Sequence, residues 1–492
     1  LESHPSDTYK DSGSSKSNSS APVVRMQTQW NYLKIEPSEA VFHIVDTLCR
    51  YKYKNFKVVR GKMNIRGTDV KMYTLKPEGV IWTFAGYAYK LKNLFEAEGM
   101  QVELTDATPS KLGKPNYDAL DKLRPGQPEI LAKLVSRRRC LVQSATGTGK
   151  TFLVCQLAKV YENASILVCS PGIDDVKSLR DRLSAVVGHV GMISGAKNKL
   201  DSVTVCTFQS AGKVWEAQPY WDIIVIDEVH RAACQTAFDS LVRFQCSKMV
   251  GLSASALGRK DGREERVKAL CGGLAVDLTY KDAYELGLVS MVKYKFIKVD
   301  GEDPYSGDSW TAKQRWCFWR NKHRNKIVAK QARTWEDYGQ TIIFVKTLDH
   351  ALHLMKHGKL HDYELIYANM TSKKQKQFER MKLLPEGFKP MTAKRRDQLR
   401  RDFESGKLKK VISTFCWGTA VDFQQLKVII RADGEYGPVV DTQLPGRSAR
   451  KHEDKDYAVL IDFLDVFNSA CWRRSQERRK FYAKTGFQPL DG

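Results

Sequence analysis

Short apolar runs rich in β-branched residues alternate with amphipathic stretches along most of this chain. Between Pro115 and about Met291 the runs include Cys140-Leu141-Val142, Ile166-Leu167-Val168 and Trp221 to Ile226. From about Val292 the alternation resumes. Lys322 to Trp335 reads as a helix, and Thr341 to Val345, Glu364 to Tyr367, Lys410 to Ser413, Lys427 to Arg431 and Tyr457 to Asp462 read as strands. Continuous apolar strands separated by helices are the pattern of parallel sheets covered on both faces. Two α/β domains are expected, over residues 109–291 and 292–492.

The segment before them has a different texture. Trp30 to Ile35, Phe56 to Arg60 and Val70 to Leu75 read as strands, and Ser38 to Tyr51 and Thr83 to Gly99 as helices, the latter ending at a C-cap glycine. This predicts a small α/β domain over residues 26–108. Arg50, Lys52, Lys54, Lys57, Arg60, Lys62, Arg66 and Lys71 alternate there with Tyr51, Tyr53, Phe56 and Tyr73. Cations touch phosphates and aromatics stack on bases, so DNA contact is one reading. A solvated β-surface with its aromatics in the core is the other. Leu1 to Ala21 is rich in Ser, Lys and Asp and almost free of apolar residues. Residues 1–25 are expected to be disordered and extraneous to the natural chain, whose first Met is Met26.

Composition narrows the class. A chain of 492 residues with 42% hydrophobic and 28% charged residues has the makeup of a folded soluble protein of two or three domains. No apolar run is long enough to span a membrane and no secretory signal is evident, so a cytoplasmic location is expected. The net charge of +24 fits a densely anionic partner, most simply nucleic acid, although a basic soluble protein would share it. The eleven cysteines include no CxxC pair. Cys140, Cys155, Cys169 and Cys206 sit in apolar runs and read as core residues in a reducing cytosol, without structural zinc.

The chemistry concentrates at two places. Gln143-Ser144-Ala145-Thr146-Gly147-Thr148-Gly149-Lys150-Thr151 lies between an apolar strand and an amphipathic helix. Glycines let backbone N–H groups curl round a polyphosphate, and the helix N-terminus adds partial positive charge. Thr146, Gly147, Thr148 and Gly149 would form the cradle. Lys150 would reach the terminal phosphates, and the Thr151 hydroxyl would bind Mg²⁺. Ser144 stands where the general pattern has Gly. Downstream, Trp221 to Ile226 ends in Asp227-Glu228-Val229-His230. Burying paired carboxylates is costly unless a cation or hydrogen bonds compensate. Asp227 would hold Mg²⁺ through water, and Glu228 would orient and deprotonate the attacking water.

Asp-Glu-x-His in this setting resembles the acidic motif of superfamily 2 helicases, and further motifs follow in order. Leu123-Arg124-Pro125-Gly126-Gln127 resembles the adenine-reading Q-motif. Ser170-Pro171-Gly172 resembles motif Ia, Thr207-Phe208-Gln209-Ser210 motif Ic and Gly251 to Ala256 motif III. Ile342 to Thr347 resembles motif IV, Val411 to Thr414 with Gly418 to Asp422 motif V, and Gln443 to Arg450 the QxxGRxxR of motif VI. Ser255 to Gly262 is similar to the TATPxRxDG form of DNA-directed members rather than DEAD-box RNA helicases. Arg324-Asn325-Lys326, Gly446 to His452 and the Asp462 region look like phage recombination helicases of the UvsW type, as does Gln29 to Glu103 more weakly. Gly172 and Ser255 replace common threonines, and Thr371 to Met391 looks like an insertion.

The resemblance implies two tandem RecA-like domains with ATP and Mg²⁺ between them. Arg124 and Gln127 would contact the base, Arg447 and Arg450 would act as arginine fingers, and Gln443 would join the catalytic set. Gly418 and Asp422 would couple the second domain to the nucleotide. Ser170, Pro171, Gly172, Thr207, Lys346 and Thr414 would hold one strand's backbone. The function implied is an ATP-dependent DNA helicase acting on forks, Holliday junctions and R-loops in phage recombination, repair or replication. The chain would act as a monomer with DNA, and an RNA–DNA hybrid, as partners and without a membrane. An RNA helicase and an ATP-switched nucleic-acid clamp or annealing protein are the alternatives. Three basic stretches stay open. Trp310 to Arg324 reads equally as a DNA-stacking element and as a packed amphipathic segment. Lys394 to Arg401 reads as a solvated helix face. Arg473, Arg474, Arg478, Arg479 and Lys480 would meet backbone phosphates.

Overall fold

The computed structural model describes residues 21–59, 62–195, 197–258, 261–384, 387–417, 423–437, 446, 448, 449 and 455–490, with backbone alone at residues 39, 54–59 and 62–66. Three bodies follow one another along the chain.

The first carries a five-stranded sheet in the order Thr74–Leu75, Ile81–Phe84, Tyr32–Ile35, Val23–Gln29, Gln101–Asp106. Helices Glu39–Leu48 and Ala88–Ala97 belong to the same body. Its first strand corrects an expectation. Val23, Val24 and Arg25 are ordered, because Val24 is buried and Arg25 pairs with Glu103 at 2.9 Å. The expected helix from Thr83 to Gly99 begins later. Ile81–Phe84 pairs instead with Tyr32–Ile35, and a tight turn at Ala85–Tyr87 precedes the helix. Arg50–Val59 and Lys62–Lys71 form a separate antiparallel ribbon, in register from Arg50↔Lys71 to Val59↔Lys62.

The second body has an eight-stranded sheet. Its order is Lys197–Lys199, Gly191–Ser194, Val203–Thr207, Ile166–Ser170, Tyr220–Asp227, Gln245–Ser253, Arg139–Ser144, Leu274–Leu278. All neighbours are parallel except the first pair. Ile223 through Ile226 are fully buried, as strands covered on both faces must be. The third body repeats the plan in seven parallel strands, ordered Glu364–Ile366, Lys410–Ser413, Gln340–Phe344, Leu426–Arg431, Tyr457–Asp465, Met291–Val299, Gln488–Pro489.

The chain crosses between the two large sheets earlier than residue 291. The helix Tyr280–Glu285 already belongs to the third body. The Tyr280 ring meets Phe487 edge-on at 4.7 Å, and its hydroxyl accepts from Val292 N and donates to Ser290 O, both at 2.8 Å. Within Thr371 to Met391 lies the helix Ser372–Arg380, and Met391 N donates to the Tyr367 hydroxyl at 2.8 Å.

The small first body shares a hydrophobic core with the second. Phe84 meets Phe238 edge-on at 5.4 Å, and the buried Asn31 side chain donates to Val242 O and Phe244 O at 2.8 and 2.6 Å. Tyr87 donates to Glu265 O at 2.9 Å.

Candidate nucleotide site

The functional residues gather at the carboxyl ends of the parallel strands, where open α/β sheets place their ligands. Arg139–Ser144 runs into the loop, and the helix Lys150–Val160 starts directly after it. Gly149 is the helix cap at φ 95°, a conformation that side chains disfavour. A Cβ there would also strike the Gln127 amide and the Arg124 guanidinium. The Thr148 hydroxyl donates to Ala145 O at 2.8 Å and lies against the buried Ser144 hydroxyl, which explains how serine serves in place of glycine. Lys150 Nζ donates to the carbonyls of Ser144 and Ala145 at 2.8 and 3.2 Å. A polyphosphate entering the cradle competes for that same ammonium.

Gln127 has a different surrounding from the one the motif implies. It is fully buried, its Nε2 donates to Thr148 O at 2.9 Å, and its Oε1 accepts from Arg124 N at 2.9 Å. The side chain braces the phosphate loop.

The strand Tyr220–Asp227 brings Asp227 beside the loop, between Ile166–Ser170 and Gln245–Ser253. Burial pushes its carboxyl up to about 7, and the charges of Glu228 and Asp175 add to this while Lys150 opposes it. A divalent cation at this carboxylate would relieve that cost. The donor set, a threonine at the first helical turn and a half-buried carboxylate near a lysine, fits magnesium on a triphosphate. Glu228 adopts φ 48°, ψ 48°, a left-handed backbone rare for a residue with a side chain. Such strain persists where surrounding structure over-determines it, commonly at functional positions. Ser253 donates to Glu228 Oε2 at 3.3 Å, and His230 Nδ1 lies 3.4 Å from the same oxygen and 2.8 Å from Ser253 Oγ. The acid pair is thereby tied to motif III.

Two residues in this site have roles that the sequence did not indicate. Gln143 accepts from Ala256 N and Leu257 N at 2.9 and 3.3 Å and donates to Asp277 at 3.0 Å, joining the phosphate-loop strand to motif III. Asp175, in the first turn of Ile173–Val187, is buried with its carboxylate over Gly172. The room left by the missing threonine is filled by this acid.

Across the cleft, Gly446 meets the phosphate loop. A Cβ on it would lie 2.6 Å from Thr146 Cβ. Gln443, Arg447, Arg450, Gly418 and Asp422 lie outside the described residues.

The expected strand contacts divide. Lys346 is exposed, 3.6 Å from Glu435, and Thr414 is half-buried with its hydroxyl on Cys416 Sγ at 3.5 Å. Thr207 is buried and donates to Ser210 at 2.9 Å. Ser170 is fully buried, and its hydroxyl donates to Asp227 at 3.3 Å, so its side chain faces that carboxylate rather than a surface. Pro171 is buried beside it and Gly172 is half-buried.

The basic helix Ala393–Glu404 is not simply solvated. Arg396 reaches Asp174, and Lys177 reaches Asp397, each at 3.8 Å, so this helix faces Ile173–Val187 across the cleft. The C-terminal helix Ser469–Thr485 corrects another expectation. Arg478 is buried and paired with Asp462 at 2.8 Å, because Asp462 would otherwise be a buried carboxylate without a cation. Arg324–Asp465 at 2.7 Å and Arg431–Asp433 at 2.9 Å complete a set of buried pairs beneath the strand ends.

The fold and this site define a two-domain phosphate-loop nucleotide hydrolase. Residues 120–256 match the family "Type III restriction enzyme, res subunit" and residues 324–452 match "Helicase conserved C-terminal domain". The chain belongs to helicase superfamily 2, and it is an ATP-hydrolysing enzyme. It is 23% identical over 437 residues to the DNA 3'-5' translocase XPB2 of Sulfurisphaera tokodaii, covering 82% of this chain and 96% of that one. The Mycobacterium smegmatis helicase Lhr bound to ssDNA and AMP-PNP shares the fold, with a TM-score of 0.53 and 16% identity over 78% of this chain and 52% of that one. T4 UvsW matches over 95% of this chain and 98% of its own at 15% identity, with a TM-score of 0.40. Among the described residues no helix is long and apolar enough to cross a membrane.

Proposed function

We propose that this protein couples ATP hydrolysis to movement along DNA and acts on branched DNA, including forks, four-way junctions and R-loops. The observation that supports it most is the meeting of the phosphate loop and the Asp227–Glu228 pair at one cleft, with Gly446 seated against Thr146. Lys150 and the loop amides would bind the phosphates, with Thr151 and Asp227 holding Mg²⁺. Bound Mg²⁺ supplies charge neutralisation on the β- and γ-phosphates. Glu228 would orient the attacking water and take its proton, with Ser253 and His230 fixing the carboxylate. Arg447 and Arg450 would complete the site from the second domain, and Gly418 and Asp422 would couple it to the nucleotide. Gln443 would join them.

DNA as the partner rests on the net charge of +24, the DNA-directed form of motif III and a relative described as a DNA translocase. Arg124 stands beside Gly149, where it could reach a base. The ribbon Arg50–Lys71 is the candidate for a second duplex arm. Its base is pinned to the first RecA-like domain where the Arg263 guanidinium lies 4.2 Å over the Tyr53 ring. ATPase assays with single-stranded DNA, duplex, forked DNA and RNA test the reading. DNA-stimulated turnover, with displacement of strands from forks and junctions, is expected. Stimulation by RNA alone would favour an RNA helicase. ATP-dependent binding without turnover would favour the clamp.

A further inference from the structure

Exposed tryptophans ask for a partner. Trp316 is 44% exposed and Trp472 47% exposed, although indole is among the costliest side chains to leave in water. They lie on two elements that touch. Gln314–Trp319 forms a π-helical turn, a rare conformation frequent at functional sites. The turn buries Cys317 and Phe318, and Phe318 packs on Gly434 just past the strand Leu426–Arg431. The helix Ser469–Thr485 lies against it, with the Cys471 and Cys317 thiols in contact. Trp316 and Trp472 each adjoin one of those thiols in sequence.

Arginines lie beside this surface, one of them at the Trp316 ring. Arg320 sits 5.5 Å from the Trp316 ring and Arg474 3.6 Å over Trp310, while Arg473 is exposed. The nearby acids are engaged: Asp349 with Arg320 at 3.1 Å, and Glu435 with Gln314 and with Lys346 at 3.6 Å. Glu435 thus links this surface to Lys346, the motif IV cation proposed for the strand's backbone.

We propose that Trp316 and Trp472 form a stacking platform for unpaired bases of a single nucleic-acid strand leaving the Lys346 end of the track. This rests on the nucleic-acid reading above but uses residues outside the helicase motifs. Exposed indoles flanked by arginines suit a polyanion with flat π-faces. Every base offers such a face, so the contact is blind to sequence.

The test measures binding of a labelled oligo(dT) by the full-length chain at several salt concentrations. Trp316→Ala and Trp472→Ala should each weaken binding roughly ten-fold at every salt concentration, with the slope of log affinity against log salt unchanged, because no phosphate contact is lost. Trp316→Phe and Trp472→Phe should restore most of it. Arg473→Ala should instead flatten the slope by about one unit. Thermal unfolding of each variant shows whether the fold is kept. Parental affinity in both alanine variants overturns the proposal. Equal losses in the alanine and phenylalanine variants overturn it too, since a stacking face would have been retained. A parent chain that binds no DNA or RNA removes the underlying reading as well, and is told apart by the parent's own titration.

Discussion

At the scale of single residues, the ATP site divides into groups with separable roles. Lys150→Ala removes the main cation of the phosphate cradle and should abolish hydrolysis. Glu228→Gln keeps the shape and the hydrogen bond to Ser253 but removes the proton acceptor, so ATP should still bind while turnover stops. Single-turnover assays alongside nucleotide binding check this, and near-parental turnover in the glutamine variant would remove Glu228 from the role of base. Asp175→Asn should raise the Mg²⁺ concentration needed for half-maximal activity, because one negative charge beside Asp227 is lost while a polar cap over Gly172 is kept. A Mg²⁺ titration at saturating ATP reads it, and an unchanged midpoint would show that Asp175 only shapes the loop. The glycines, Lys150 and the acid pair were legible because their spacing encodes local geometry. Gln143 was not, since the backbone N–H donors it accepts from lie 113 and 114 residues away and only the fold brings them near. Ser170 was read as a strand contact for a related reason: its position after a strand is visible in sequence, but the neighbour its hydroxyl meets is not.

At the scale of elements, strands and helices of the two large domains stood out, because apolar runs covered on both faces have a pattern that is hard to imitate. The small first domain was less legible. Its opening strand is half-polar, and its second helix is preceded by residues that pair as a strand. The C-terminal helix Ser469–Thr485 shows the limit most clearly. Its arginines look alike in sequence, yet Arg478 is buried on Asp462 while Arg479 is exposed. Arg478→Ala should therefore destabilise the third body by about 3–5 kcal/mol, since Asp462 would be left as a buried charge. Arg479→Ala should stay within about 0.5 kcal/mol of the parent. Urea unfolding of the two variants separates them, and equal midpoints would mean that the Arg478–Asp462 pair contributes nothing net.

At the scale of the whole molecule, the cleft works only if both RecA-like domains reach the nucleotide. Arg447→Ala or Arg450→Ala should slow turnover on the order of 10³-fold with little change in nucleotide affinity. Normal hydrolysis in both variants would mean that motif VI is not part of the closed site. The small first domain poses a different question, because it is fastened to the ATPase rather than tethered to it. Removing residues 26–108 would uncover Phe238 and the carbonyls of Val242 and Phe244, so that truncation should lose ATPase through loss of the fold. A cleaner cut replaces ribbon residues 55–66 with a tight turn at the Lys54↔Gly67 pair. The five-stranded sheet and the Tyr53–Arg263 contact are left in place. One translocating cleft holds one arm of a junction, so branch selection needs a second surface, and this cut removes four of the ribbon's basic residues, Lys57, Arg60, Lys62 and Arg66, while sparing the cleft. Stimulation of ATPase by single-stranded DNA should survive, while activity on a four-way junction falls well below activity on a simple tailed duplex. Equal retention on both substrates would show that residues 55–66 do not select branched DNA, and Lys57, Arg60, Lys62 and Arg66 would then be a solvated surface.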